Sequence, residues 1–435
     1  MIQVLSAIWA LLLGIVLIML GNGMQFTLIG IRGGIEGFSA AELAIVTSAY
    51  FAGFLAGARY APVMIRRVGH VRVFAALGSF VSAGLIAFPL LADPIAWTLL
   101  RLLLGFCMSG IYVTAESWLN DAATNETRGK VLAAYMIAQT LGIIGAQGLL
   151  TLGDAGTSVL FIGASILVSI SFAPILLSIS PVPAAAVTRP MSLWRLFSGS
   201  PLGTVGIFLL GAAYATQSGM AAVFGTQIAM TAPQISLFVA MLFGGALVLQ
   251  YPIGWLSDRL DRRRLILWTS ALGAASCAAG WMAGDGLWFL MGAAFLAGGV
   301  TTPLYALFLA YTNDALSVED MPAASGGLVL TFGIGAIIGP LVTGWAMQHV
   351  DPYAFWLVLG STFTLIALYA LYRMTQNVRP AMSTSDSYLG VVPTASSVAV
   401  EAAGSWAAEQ AAEQGDEEDP EEDEEDETPD TMPGS

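Results

Sequence analysis

Three observations predict an all-α integral membrane protein, a bundle of twelve transmembrane helices in two six-helix pseudo-symmetric halves. Of the 435 residues, 56% are hydrophobic and 11% charged, and the mean hydropathy is +0.75, outside the range of soluble globular domains. The apolar residues gather into twelve runs, each close to the roughly 20 residues a spanning helix needs. Between two of these runs, GWLSDRLDRRR at 254–264 forms a dense knot of charge. A turn carrying Asp258, Asp261 and four arginines cannot lie in hydrocarbon, and short arginine-rich turns stay on the cytoplasmic side.

In order, the first six runs lie near 5–24, 41–64, 71–91, 95–119, 130–152 and 157–179. The first starts almost at Met1, with no basic stretch before it and no small-residue cleavage site after it, and reads as a true span. Residues 181–200 are richer in Pro and Ser, carry Arg189 and Arg195, and read as a cytoplasmic linker. The second six runs follow near 201–222, 234–256, 265–283, 287–312, 324–347 and 353–374. The expected domains are therefore an N-terminal bundle (1–180), the linker, and a C-terminal bundle (201–374).

Basic residues set the expected orientation. Arg66, Arg67 and Arg72 flank the turn after the second run, Arg128 and Lys130 follow the fourth, Arg189 and Arg195 the sixth, the 254–264 knot the eighth, and Arg373 and Arg379 the twelfth. The alternate loops hold one basic residue, Arg32. Both termini are thus expected in the cytoplasm, with the chain multi-pass in the plasma (inner) membrane.

The net charge of -14 belongs to one segment. Residues 386–430 carry 16 of the 30 acids and the stretch from 375 onward one base, which leaves the body with 15 bases and 14 acids. The overall acidity therefore says nothing about a substrate. Residues 375–435 read as a disordered acidic cytoplasmic tail, too polar to offset the entropy of ordering. Cys107 and Cys277 fall inside apolar runs, with no spacing that suggests a metal site or a disulfide.

An internal repeat supports the six-plus-six division. Asn120-Asp121-Ala122 recurs 193 positions later as Asn313-Asp314-Ala315, with Glu126 and Glu319 in step, and Gly142-Ile-Ile-Gly145 matches Ala336-Ile-Ile-Gly339 at 194. Related halves are the arrangement of many secondary transporters.

The 254–264 knot resembles the loop signature of the major facilitator superfamily: a glycine, a short spacer, Asp-Arg, a second spacer and a run of basic residues. Ser48-Ala-Tyr50-Phe-Ala-Gly53, Ile65-Arg-Arg-Val-Gly69, Glu116-Ser117 and Arg128-Gly129-Lys130-Val-Leu-Ala-Ala-Tyr135-Met136 are similar to its YcaD-like branch. The resemblance covers residues 1 to about 374 and implies that superfamily's fold and a transport role, with the signature after spans two and eight acting at a cytoplasmic gate. Asp258, Arg259 and Arg262 are the expected gate residues of the second half. In the first half Arg66 stands where the acid belongs, so a reversed pairing is expected, with Arg66 or Arg67 meeting Glu116, Asp314, Glu319 or Asp320, and Arg128 nearby. The superfamily's drug antiporters typically carry Gly-Pro in span five, where this chain has Gly142-Ile-Ile-Gly145.

Arg101 lies about 9 Å into its helix. A charge at that depth faces a cavity or a partner, so substrate contact and a structural pair are both open readings. Glu116 is read as a gate group ahead of a proton carrier. Asn22, Gln25, Tyr50, Gln139, Gln147, Gln217 and Tyr305 are expected around a central cavity, with Tyr214, Gln227, Gln250 and Thr301 as further polar groups. Amides and phenols suit neutral polar or zwitterionic solutes; the alternative is hydrogen bonding between helices.

The expected function is secondary active transport of a small solute by alternating access, coupled to an ion gradient, with protons as the partner ion. Alternatives are a drug or metabolite efflux antiporter, and a transporter-like receptor signalling through the acidic tail. No phosphate-cradling Gly-x-x-x-x-Gly-Lys-Ser/Thr loop is present. His70 and His349 are the only histidines, and no catalytic constellation assembles around them. No enzyme activity, catalytic residue, cofactor, metal or nucleic-acid partner is expected; the partners are the lipid bilayer and a small-molecule substrate, and the chain is expected to be a monomer.

Overall fold

A computed structural model of the chain describes residues 2–177, 191–284, 286–316, 320–376 and 390–417. The described residues form helices and connecting turns, with no strand among them. The first half comprises α1 (Ile2–Ile35), α2 (Ala40–Val68), α3 (His70–Leu90), α4 (Pro94–Ala122), α5 (Asn125–Leu150) and α6 (Val159–Leu177). A short helix, α7 (Leu193–Gly199), falls in the expected linker. The second half comprises α8 (Pro201–Gln227), α9 (Ala232–Ser257), α10 (Arg262–Met282), α11 (Leu287–Asn313), α12 (Met321–His349) and α13 (Ala354–Gln376), and α14 (Ser397–Glu417) lies beyond it. Eleven of these helices are long and apolar enough to cross a membrane, and α6 contributes a shorter apolar stretch, Val159–Pro174.

Local chemistry explains the boundaries. Ser39 starts α2 with a capping box: its side chain accepts from the Glu42 N–H, and the Glu42 carboxylate accepts from the Ser39 N–H. Asp93 caps α4 ahead of Pro94 at the first helical position. Asp261 caps α10, accepting from the Arg263 and Arg264 N–H groups. Only Gly69, at φ +84°, separates α2 from α3, a conformation that needs no side chain. The first helix runs to Ile35, eleven residues past the end expected from hydropathy. Asn22, Gln25 and Thr27 lower the apolar signal there, but all three are buried and hydrogen-bonded inside the bundle.

The same packing device recurs in each half. A Cβ on Gly53 of α2 would lie 1.9 Å from the Leu102 carbonyl oxygen, and one on Gly105 of α4 would lie 1.9 Å from that of Tyr50. In the second half, a Cβ on Gly245 of α9 would lie 1.8 Å from the Phe295 carbonyl oxygen, and one on Gly298 of α11 would lie 2.1 Å from that of Leu242. These counterparts stand 192 and 193 positions apart, so the internal repeat extends to how the helices meet.

The two halves touch at the end away from the arginine-rich turns. Gly30 of α1 packs on Ala222 of α8, Gly344 of α12 packs on Ala40 and Ala44 of α2, and the Ser48 hydroxyl donates to the Ile337 carbonyl at 2.8 Å. At the opposite, basic end, residues 390–417 lie in the cleft between the halves. Where the sequence reading expects a tail without structure from 375 onward, this stretch is an extended segment, a turn and α14, with Val391, Ala395, Ser396, Ala399 and Val400 buried. Its small apolar residues line one helix face, which the acid-heavy composition of the tail conceals. The acidic run beyond Glu417 and the remainder of the linker lie outside the described residues.

Candidate functional site

A cavity lies at the centre of the bundle, between the halves. Asn22, Phe26 and Thr27 of α1, Tyr50 and Phe51 of α2, Tyr112 of α4 and Gln147 of α5 form one wall. Tyr214 and Ser218 of α8 and Val239 and Phe243 of α9 form the other, and Thr394 of the tail completes the lining.

The first wall carries two hydrogen-bonded polar sets, one around Asn22 and one around Gln147. Asn22 accepts from Gln25 Nε2 at 2.7 Å and from the Tyr50 hydroxyl at 3.5 Å, and its own amide donates to the Tyr112 hydroxyl at 3.4 Å. Thr27 donates to Gln147 Oε1 at 3.0 Å, while Gln147 Nε2 reaches the Gly23 carbonyl at 3.4 Å. Facing it, the second wall offers one phenol and one hydroxyl among apolar side chains. No charged group lines the space, so its chemistry suits an uncharged solute with hydroxyl or amide groups and an apolar or ring portion.

Of the sequence-predicted cavity residues, Asn22, Tyr50 and Gln147 line the cavity, and Gln25 sits directly behind Asn22. Gln217 lines a smaller neighbouring space with Thr301 and Thr302 and donates to the Ala297 carbonyl at 3.2 Å. Gln139 and Tyr305 are buried away from both, Tyr305 packed edge-on against Phe332. Arg101 is 1% exposed and does not line the cavity. Its guanidinium stands 4.3 Å from the Phe26 ring centre and 4.4 Å from that of Tyr50, so it holds two cavity-lining rings from behind. Tyr112, Ser218 and Thr394 were missed. Tyr112 carries a signal, one turn before Glu116 on the same helix, whereas nothing in the composition of the tail singles out Thr394.

The expected gate residues separate into different environments. Arg262 forms a two-pronged pair with Asp314 that is almost buried, joining α10 to the end of α11 within one half. Arg259, in the turn after α9, stacks 4.0 Å over the ring of Trp255 in the last turn of that helix, and Asp258 is exposed and borders a gap between α5 and α9. The reversed pairing expected of Arg66 or Arg67 is not what the structure holds. Both arginines are exposed, Asp314 is taken by Arg262, Asp320 by Arg195, and Glu319 lies outside the described residues. Glu116 is 1% exposed and accepts from the Tyr135 hydroxyl at 3.0 Å and the Ser396 N–H at 2.9 Å. Arg128 is half-buried near the start of α5.

Two six-helix halves enclosing a central polar cavity, shut at one end of a membrane-spanning bundle, define a multi-pass membrane transport protein. The chain belongs to the Major Facilitator Superfamily, whose family model matches residues 11–228 and again 203–387. It is 24% identical over 375 residues to an uncharacterized MFS-type transporter, YcaD, of Escherichia fergusonii, covering 85% of this chain and 96% of that protein. It is likewise 24% identical over 374 residues to an uncharacterized MFS-type transporter, YfkF, of Bacillus subtilis, covering 84% and 95%. Among solved structures, a variant of the nucleoside transporter NupG shares the fold at a TM-score of 0.73 and 15% identity, covering 84% of this chain and 98% of that one.

Proposed function

We propose that the chain is a secondary active transporter that carries a small, uncharged, hydroxyl- or amide-bearing solute through the bacterial plasma membrane by alternating access, coupled to protons. The observation that carries the reading is the central cavity: the uncharged polar groups of Asn22, Tyr50, Tyr112 and Gln147 facing Tyr214 and Ser218, at the seam between the halves. The arginine-rich end faces the cytoplasm, in keeping with the preference of basic turns for that side. The contacts of α1 with α8 and of α2 with α12 then close the outer face. Proton coupling is supported by Glu116, a carboxylate deep in the bundle within hydrogen-bonding distance of Tyr135.

A thermal-shift screen on purified protein tests this, starting with neutral ring-bearing solutes such as nucleosides, the class that the fold neighbour NupG is named for. A ligand of the folded state raises its apparent stability. Hits are expected to lose their stabilising effect in Asn22→Ala and Gln147→Ala, and to accumulate in proteoliposomes only under a proton gradient. Hits that stabilise both variants as well as the parent place the binding site elsewhere and defeat the reading.

A second reading, efflux of apolar compounds, is favoured by the gap of about 510 Å³ between α5 and α9. Met136, Ile137, Leu247, Tyr251 and Trp255 line it, an apolar side entrance of the kind a membrane-dissolved compound would use. Hits confined to lipophilic compounds, with Leu247→Trp blocking their transport, would favour it.

A further inference from the structure

We propose that residues 390–407 are a plug that the chain inserts into the basic-end cleft between its own two halves, keeping the central cavity occluded until the segment leaves. The tip is a turn closed by the Ala395 N–H donating to the Val392 carbonyl at 3.0 Å, with Pro393 in the second position such turns favour. Thr394, next in the turn, stands in the wall of the central cavity, which retains about 30 Å³, room for a water molecule and none for a solute.

A latch secures the tip. The Ser396 N–H donates to the Glu116 carboxylate, whose other oxygen is held by Tyr135. Ser396 also caps α14, its hydroxyl accepting from the Val398 N–H at 3.2 Å and its carbonyl from the Val400 N–H at 3.1 Å. The buried carboxylate of Glu116 therefore meets the start of a helix, where backbone N–H groups favour negative charge.

The body of the plug fits both halves at close range. Ala399, Ala403 and Ala407 recur every fourth residue and are buried together with Val400. A Cβ on Gly404 would lie 2.9 Å from the Asn313 amide of α11, and the Trp406 ring covers Gly129 of α5. A Cβ on Gly390 would fall 1.9 Å from the Gln250 amide of α9. The superfamily match ends at residue 387, so this segment lies beyond the part of the chain that the family model matches. Occlusion requires no particular solute, and the inference stands apart from the transport reading.

The test is cavity access. Ser218→Cys is introduced and the purified protein in nanodiscs is treated with a charged methanethiosulfonate reagent, with the buried Cys107 and Cys277 of the parent giving the background. The labelling rate is compared in the full chain, in a chain ending at residue 389, and in full-length Ala399→Trp, which places a large ring at a fully buried position of the plug. Both variants are expected to label about tenfold faster than the full chain, as the access-competent state becomes dominant. Excess peptide of residues 390–417 is expected to slow labelling of the shortened chain again. Equal rates in the full chain and both variants overturn the proposal. If the shortened chain does not stay monodisperse, the Ala399→Trp comparison alone decides.

Discussion

Replacing Gly105 by alanine puts one methyl group where two helices leave no space for it. The new Cβ would sit 1.9 Å from the Tyr50 carbonyl oxygen, while ordinary van der Waals contact begins near 3.4 Å, so α2 and α4 must separate by about 1.5 Å. Helix propensity argues the other way, because alanine stabilises a helix interior over glycine by about 1 kcal/mol. Overpacking a tight contact typically costs 1–3 kcal/mol, more where backbone must move, so the steric term is expected to win by about 1–2 kcal/mol. For a chain of 435 residues, at about 2.1 cal/mol/K of unfolding entropy per residue, that corresponds to a fall in Tm of about 1–2 °C. The buried thiols of Cys107 and Cys277 provide the assay, since a thiol-reactive dye becomes fluorescent as heating exposes them. Gly163→Ala, where nothing lies within 4 Å, is the control and should hold or raise Tm. Gly53→Ala presses on the same helix pair, so the double variant should lose less than the sum of the two. A Gly105→Ala protein melting with the parent would refute the reasoning that close backbone approach sets this packing.

Arg262→Ala removes the near-buried ion pair with Asp314 and should cost about 3 kcal/mol in the same melting assay, the range for breaking a buried pair by removing one partner. Arg195→Ala, which breaks a pair exposed by 67% and 32%, should cost under about 1 kcal/mol. Arg101→Lys removes the flat guanidinium between the Phe26 and Tyr50 rings and should lower Tm measurably, because desolvated contacts of this kind are worth about 2 kcal/mol; an unchanged Tm would show that the rings do not rely on it. Burial raises the carboxyl of Glu401 on α14 above the usual glutamate value. The docked state therefore holds its proton more tightly than the released one, so the contribution favouring docking is complete below the ordinary glutamate value and vanishes as pH rises through the raised one. Labelling of Ser218→Cys in the full chain, normalised to the chain ending at 389, should slow on mild acidification, and Glu401→Gln should weaken that dependence, leaving the part that comes from Glu116 at the latch.

Hydropathy and arginine spacing revealed the spans and the two halves, because lipid demands long apolar helices and charge collects in the turns. They failed at helix ends such as that of α1, where Asn22 and Gln25 look like boundary residues but face inward and bond to each other. The cavity was legible in part, since buried amides at mid-helix have few other uses, and Asn22, Tyr50 and Gln147 line it. Distance along a helix cannot tell Gln139 from Gln147, which lie two turns apart on the same helix, because which face meets the cavity depends on its neighbours. The motif around Asp258 suggested a gate carried by that acid, yet the buried pair there is Arg262 with Asp314, fifty-two positions apart. The alanine face of α14 was hidden by the acids that follow it.

The glycine contacts bear on how the plug must work. With α2 bound to α4 and α9 bound to α11 at backbone distance, neither half can absorb a change of shape internally, and motion concentrates at the seam between them. The plug straddles that seam, meeting Glu116 and Gly129 in the first half and Gln250 and Asn313 in the second. Any rotation that brings the basic ends of the halves together must therefore expel residues 390–407 or carry them with one half alone. Because Ser396 is tied to Glu116 of the first half while Gly390 and Gly404 pack against Gln250 and Asn313 of the second, the segment cannot follow either half without losing its contacts to the other, and its departure has to precede closure of the basic end.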